Sequence, residues 1–477
     1  MLEMTEMKVA LVWPFGNDAT YSIPLGLGYL VANTTNPEHT LQIFDGTLEN
    51  ATAASEQFSN FLQRFQPDVV GVSCWSKTYS ESVEVLRQAK AILPHCVTVM
   101  GGIHPTAYPE KSINTPEIDY LLTGECEFSF PLFLDLLSCG QSVSEVPGIV
   151  FRTPEGVART PMRLEPDLDR ITPPDYKAIR LHDYIERGYR YFSTIKMNAP
   201  IWLTRGCPYK CKFCTAPLIN GMKIRSHSVE YAINWIKMLY FDFAIRHVNI
   251  VDDNFTFYAD YTRAFCEALI RENLPGLEVD TANGIRAQRT DFETLKMMRR
   301  AGWRRVAIAP ESGSRRVLKL MKKDLDPDMW PEKVKEIRHA GLASHALFLI
   351  GYPGETLDDL KQTEELIKRS DFDSLAIQYF QPMPGTPVYD DLVRCGQIED
   401  VLLPNTTSEG RVYVTPELEN FNFGMFALKL YLGNFLRRPL GTFYELRSYS
   451  PALILRRLLY LGLDAFFRIG KKLKKAS

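Results

Sequence analysis

The sequence predicts an α/β chain: an N-terminal doubly wound Rossmann-like sheet, then a partial (β/α)6 TIM-like barrel, then a helical C-terminal region. Three observations predict it. Short apolar runs alternate with helical stretches over 8–137, a second such series runs over 201–380, and the alternation stops near 382.

In the first series, KVALVW (8–13), LQIFD (41–45), VVGVS (69–73), VTVMG (97–101) and IDYLL (118–122) read as strands. Helices are expected near 26–35, 51–65, 79–93 and 127–137; in 79–93, Val83, Leu86, Ala89 and Leu93 recur at helical spacing. Apolar strands separated by helices suggest a parallel sheet covered on both faces. Ligands of such sheets bind beyond the strand C-termini, where this chain carries Ser73-Cys74-Trp75-Ser76, Gly101-Gly102 and Gly124-Glu125. A joining segment follows, with GIVFR (148–152) and VARTP (157–161) flanking a hairpin turn. The second series has strands IWLT (201–204), HVNIVD (247–252), EVDTA (278–282), RVAIA (305–309), HALFLI (345–350) and SLAIQYF (374–380). Polar residues follow nearly every one of them, which favours a barrel over a second open sheet. The expected divisions are 1–140, 141–197, 198–395 and 396–477.

Composition narrows the function classes. The formal net charge of −2 makes no electrostatic case for nucleic acid, and none is expected as a partner. Three of the nine cysteines fall within eight residues, so they form no disulfide framework; they fit a reducing, cytoplasmic setting with one thiolate metal site. The N-terminus is a poor secretory signal, and no run of eighteen apolar residues argues for a membrane span. Residues 451–477 carry seven Lys or Arg against one Asp among dense apolar residues. Such a segment can lie on the inner face of an anionic membrane or pack on its own fold.

The strongest signal is TRGCPYKCKFC (204–214). Cys207, Cys211 and Cys214 can hold three corners of one iron–sulfur cubane and leave the fourth iron open. Structural zinc needs four protein ligands, and no fourth donor stands at suitable spacing; His227 is distant in sequence. Asp253, Asn283, Arg286, Glu311, Ser312 and Gly351 follow successive strands as a polar rim for hydroxyl, ammonium and carboxylate groups. The same residue types also cap helices and make turns, so that reading stays open for each.

The loop resembles the radical S-adenosylmethionine superfamily, whose signature is CxxxCxxC with an aromatic residue, here Phe213, before the last cysteine. The resemblance implies a 4Fe-4S cluster whose open iron takes the methionine part of S-adenosylmethionine. Its reductive cleavage then gives a 5′-deoxyadenosyl radical, with flavodoxin or ferredoxin as electron donor. Glu311 and Gly351 would stand near that cofactor. GLGYL (26–30), VGVSCWS (70–76), GGIHPTAYPE (101–110), DYLLTGECE (119–127), PESGS (310–314), GYPGET (351–356) and PMPGTPVY (382–389) extend the likeness to the cobalamin-binding branch.

In that branch cobalamin needs a broad crevice and a slot for its nucleotide tail. Gly71, Gly101 and Gly102 would leave room for the tail; Ser73, Ser76, His104 and Thr106 would bond its amides; Gly124 and Glu125 would close another edge. A flavin or dinucleotide is the alternative ligand, although the first turn lacks GxGxxG. Many cobalamin domains carry DxHxxG; here Asp45 is followed by Thr47 and Asn50 in place of the histidine and glycine. Threonine is no substitute for an imidazole on cobalt.

The expected activity is cobalamin-dependent methyl transfer to an unactivated carbon or phosphinate centre of a small, hydrophobic biosynthetic intermediate. Ring contraction, cyclisation or rearrangement with the same cofactors is the alternative. A non-enzymatic cobalamin sensor is a third reading.

Overall fold

A computed structural model describes residues 5–19, 22–191, 193–400 and 413–441. Seven strands build the first sheet: β1 (Met7–Trp13), β2 (His39–Asp45), β3 (Val69–Ser73), β4 (Val97–Gly101), β5 (Tyr120–Leu122), β6 (Ile149–Thr153) and β7 (Gly156–Arg159). Their order is β2-β1-β3-β4-β5-β6-β7, parallel through β5 and antiparallel thereafter. The doubly wound order follows from the sequence pattern. Val9 and Leu11 pack in one apolar cluster with Phe130 and Phe133, while Ala10 and Val12 pack in another with Phe58 and Leu86, so helices cover both faces. The hairpin expected in the joining segment forms, and β6 pairs with β5, so it extends this sheet.

Local chemistry moves some boundaries. A helix expected over 51–65 occupies Glu56–Phe65, because the Ser55 hydroxyl accepts from the Phe58 amide as an N-cap. The strand expected at 201–204 is split into β8 (Asn198–Ile201) and β9 (Thr204–Arg205); β9 turns to pair antiparallel with β10 (Arg225–Ser226).

The second series continues with β11 (His247–Ile250), β12 (Glu278–Asp280), β13 (Arg305–Glu311), β14 (Ala343–Ile350) and β15 (Ser374–Tyr379). Two parallel three-stranded sheets, β8-β11-β12 and β13-β14-β15, are joined through isolated bridges Val279–Trp303 and Ile285–Ile308. The six parallel strands thus run in chain order. One apolar core extends from the joining segment (Leu168, Tyr176, Tyr184) through this series to Leu375, and takes in Tyr29 and Leu48 of the first region. The helix Phe423–Arg437 covers β15, and the Tyr431 hydroxyl accepts from the Ile377 amide at 2.9 Å. The basic segment 451–477 lies outside the described residues. No described helix is long and apolar enough to cross a membrane.

Candidate active site

The cysteine loop joins β9 to the helix Ala216–Asn220. It is held at both ends. Gly206 sits at φ +99°, and a Cβ there would stand 2.4 Å from the Lys223 carbonyl oxygen, so only glycine fits. The Cys207 amide donates to the Gly221 carbonyl at 3.1 Å. Lys212 donates its amide to Met321 O at 2.9 Å and accepts from the Val388 amide at 3.2 Å. The PMPGTPVY run (382–389), which contains Val388, therefore pins the loop. Phe213 stands edge-on to Tyr352 with ring centroids 6.4 Å apart, which anchors the loop in a local apolar cluster.

Cys207, Cys211 and Cys214 are free and half-buried, and a neighbouring cysteine adds to burial in disfavouring the thiolate at Cys207 and Cys214. Burial pushes all three thiols up, Cys214 to about 12. Against that, the Tyr209 and Ala216 amides donate toward Cys207 and Cys214, and Lys323 and Arg286 favour the thiolate of Cys211. Among the described residues no three Cys, His, Asp or Glu side chains close on a single metal ion, as a zinc site would require. A cubane takes one thiolate per iron, so its ligands stand further apart, and three thiols on one loop fit that donor set. Its assembly would release their protons.

Around the loop stand several predicted rim residues. Glu311 holds an αL backbone at φ 63°, which breaks the β13–β14 register, and its carboxylate pairs with Lys323 at 2.8 Å. A non-glycine residue held there marks local strain. Arg286 lies over the Tyr209 ring at 3.8 Å and donates to Asp324 O, while its buried Nε has no partner. Asp253 accepts from Asn220 Nδ2 at 2.7 Å, and burial raises its carboxyl. Asp252 accepts from the Leu203 and Thr204 amides at 2.8 and 2.7 Å, which fixes the entry to the loop. Asn283 is exposed and bonds Tyr191 and Val251 O.

Two other positions serve the backbone. Ser312 is fully buried, bonded to Thr363 Oγ1 and the Ser314 amide, facing the helix Leu357–Ser370. Gly351, at φ +82°, donates its amide to Glu355 Oε2 at 2.5 Å; Glu355 is fully buried, its Oε1 lacks a partner, and burial raises its carboxyl to about 8.

At the first sheet, Gly102 sits at φ +101°, where a Cβ would meet Cys74 O at 2.8 Å; Gly71 leaves room for Leu11. Beside Gly101, Thr106 Oγ1 donates to Gly102 O at 2.7 Å and accepts from the Gly124 amide at 2.9 Å. His104 is buried, its Nδ1 3.0 Å from Ser76 Oγ, its ring 4.5 Å from Tyr79, and its Nε2 without a partner. Burial lowers it to about 4, so it is a neutral imidazole. Ser73 is half-buried at the tip of β3. Gly102 lets its turn close on the Cys74 backbone, while the Cβ position of Gly101 meets only Leu122 O at 3.4 Å; that open position and the orphan imidazole nitrogen of His104 fit the amide-bearing edge of a large planar cofactor. Thr47 donates its hydroxyl to Pro14 O at 3.1 Å in a compact turn, so it offers that cofactor nothing.

Glu125, expected at the edge of this crevice, instead has both oxygens on Arg225, at 2.8 and 2.5 Å. Arg225 carried no sequence signal, and its neighbour Arg205 stands in the cysteine run with nothing to announce its pairing, because their partners lie far away in the chain. The two halves also meet at Gly385, whose Cβ position lies 2.9 Å from Leu218 Cδ2 and 3.0 Å from Ala107 Cβ. The helix after β4 (Ile103–Ala107) thereby touches the helix after the cysteines (Ala216–Asn220) and the PMPGTPVY loop.

Residues 201–367 match the family model described as the Radical SAM superfamily, and residues 16–134 match that of the B12 binding domain. An uncharacterized methyltransferase of Pyrococcus horikoshii is 30% identical over 395 residues, covering 81% of this chain and 83% of that protein. Cytidylyl-2-hydroxyethylphosphonate methyltransferase of Streptomyces wedmorensis is 28% identical over 440 residues, covering 82% of each. In fold, the chain is similar to the radical S-adenosylmethionine methyltransferase TsrM of Kitasatospora setae, solved with cobalamin and a 4Fe-4S cluster bound. The TM-score is 0.74 at 16% identity, over 99% of this chain and 100% of that one.

Proposed function

We propose, from the premise that the chain belongs to the B12-binding radical S-adenosylmethionine enzymes, that it methylates an unactivated carbon or phosphinate centre of a small, hydrophobic biosynthetic intermediate. The observation that carries the reading is the junction at Gly385, which brings the glycine-rich rim beyond β4 against the helix leaving the cysteine loop. Two cofactor beds held side by side would allow one substrate to meet both. Two relatives named methyltransferases favour methyl transfer over rearrangement.

When bound, the 4Fe-4S cluster supplies the electron that opens S-adenosylmethionine to a 5′-deoxyadenosyl radical, and cobalamin supplies a carrier for the methyl group. The chain's own residues position and enclose. Cys207, Cys211 and Cys214 would ligate the cluster, and Asp252 and Gly206 hold the loop that presents them. Glu311 would take the cofactor's ammonium in exchange for Lys323, and Lys323 would then be free for its carboxylate. Gly102, His104 and Thr106 would line the corrin edge. The six parallel strands would form a partial barrel that keeps water from a radical.

Anaerobic reconstitution with methyl-labelled S-adenosylmethionine and a reduced flavodoxin or ferredoxin, followed by product mass analysis, tests the reading. Label in a product supports it; deoxyadenosine without transferred label points to rearrangement. Peripheral attachment through 451–477 is part of the proposal, and flotation of the full chain with anionic against neutral vesicles checks it.

A further inference from the structure

At the foot of the cysteine loop four charged side chains are buried together. Arg205 and Arg225 face each other on β9 and β10, while Glu125 and Glu127 come from the turn after β5. Their side chains are 0%, 6%, 5% and 8% exposed. Arg205 Nη2 donates to Glu127 at 2.6 Å, Arg205 Nη1 stands 3.6 Å from Glu125, and Arg225 donates to Glu125 through both Nη atoms. The Arg205 guanidinium also lies 4.4 Å from the Trp202 ring centroid and 5.2 Å from that of Tyr29. It has little freedom to find other partners.

The chemistry of the quartet suits alignment better than cohesion. Two guanidinium groups and two carboxylates lose their hydration when buried, and their attraction does little more than offset that loss. Arg205 Nε and Nη1 are left without a hydrogen bond, so the network is not optimised for stability. What it does have is direction. Arg205 lies two residues before Cys207, and Arg225 Nη2 donates at 3.0 Å to Asn220 O, in the helix that leaves the loop. Both ends of the cysteine loop are therefore referred, through charge-assisted bonds, to one turn of the first sheet.

We propose that Glu125 and Glu127 are positioning residues, and that this buried quartet sets the place of the cysteine loop relative to the rim of the N-terminal sheet. The inference rests on the proposed function only for its use, which is to keep two cofactor beds at a constant separation. The contact itself needs no cofactor.

Hydrogen exchange of the full-length, cofactor-free protein tests it. Glu127→Ala removes the strongest partner of Arg205 and is expected to speed exchange of amides in 203–225 by about tenfold, with β13–β15 unchanged. After reconstitution the same variant is expected to retain less iron and to broaden the reduced cluster's paramagnetic resonance lines. The paired exchange Glu127→Arg with Arg205→Glu is expected to recover part of the slow exchange. Unchanged exchange in 203–225, or equal acceleration in every strand, would overturn the proposal. If Glu127→Ala does not fold, Glu127→Gln is read by the same criteria. Failure of the wild-type chain to bind cobalamin or to cleave S-adenosylmethionine would count against the proposed function and leave the exchange result intact.

Discussion

Between Cys207 and Cys214 the chain offers three sulfur donors in one loop, while between Gly101 and Thr106 it offers space. The first bed is made by side chains; the surrounding structure only fixes where they point. The second is made by the absence of a side chain at Gly101, by a Gly102 turn that closes on the Cys74 backbone, by a hydroxyl that ties Gly102 to Gly124 through Thr106, and by a buried neutral histidine. The difference teaches what each bed tolerates. A donor set fails when one donor is lost. A shaped recess fails when an atom is added.

The largest expected effect lies on the donor side. Cys211→Ala should abolish both cluster retention and S-adenosylmethionine cleavage while leaving cobalamin binding in place; iron analysis and deoxyadenosine assay check the first, corrin absorbance the second. Loss of both cofactors together would break the contrast between the beds.

Next comes Gly102→Ala. The left-handed backbone and the approach to Cys74 O at 2.8 Å are expected to cost about 1–3 kcal/mol in stability. Cobalamin retention should fall while iron content stays at the wild-type level. Denaturant melts and copurified cofactor measure the two.

Smaller effects follow from two buried titratable groups, one on each side. Glu355 is raised from 4.5 to about 8, so folding takes up a proton between those values and stability falls as pH rises through that window. Glu355→Gln should remove about 1 kcal/mol per pH unit of that loss, so the variant gains on wild type as pH goes from 5 to 9. His104 is lowered from 6.5 to about 4, so its contribution is complete above 6.5 and is lost as pH falls toward 4. His104→Gln should flatten that acid limb, and less strongly, since the shift is smaller. Chemical unfolding across pH, variant against wild type, reads both. Matching slopes would show that the halves do not differ in this respect.

The strand runs were legible in the sequence because apolar continuity and helical spacing are local, and β1, β3 and β4 fall within a residue of the expected places. The cysteines were legible for the same reason. Glu125 reads differently in the structure, because its partner Arg225 is 100 residues away and nothing near either residue announces the pair. Ser312 reads as a rim residue by its place after a strand, yet its hydroxyl is spent on Thr363, which only the packing of the helix Leu357–Ser370 reveals.

By itself the amino-acid sequence determined the α/β alternation, the three-thiol loop and the lack of a histidine at Thr47, since each depends on residues within a few positions of one another. Tertiary structure alone decided that β6 and β7 extend the first sheet, that Arg205 and Arg225 turn to Glu127 and Glu125, and that PMPGTPVY pins the cysteine loop. Those are pairings between distant segments, and burial selects them only once the chain has closed on itself.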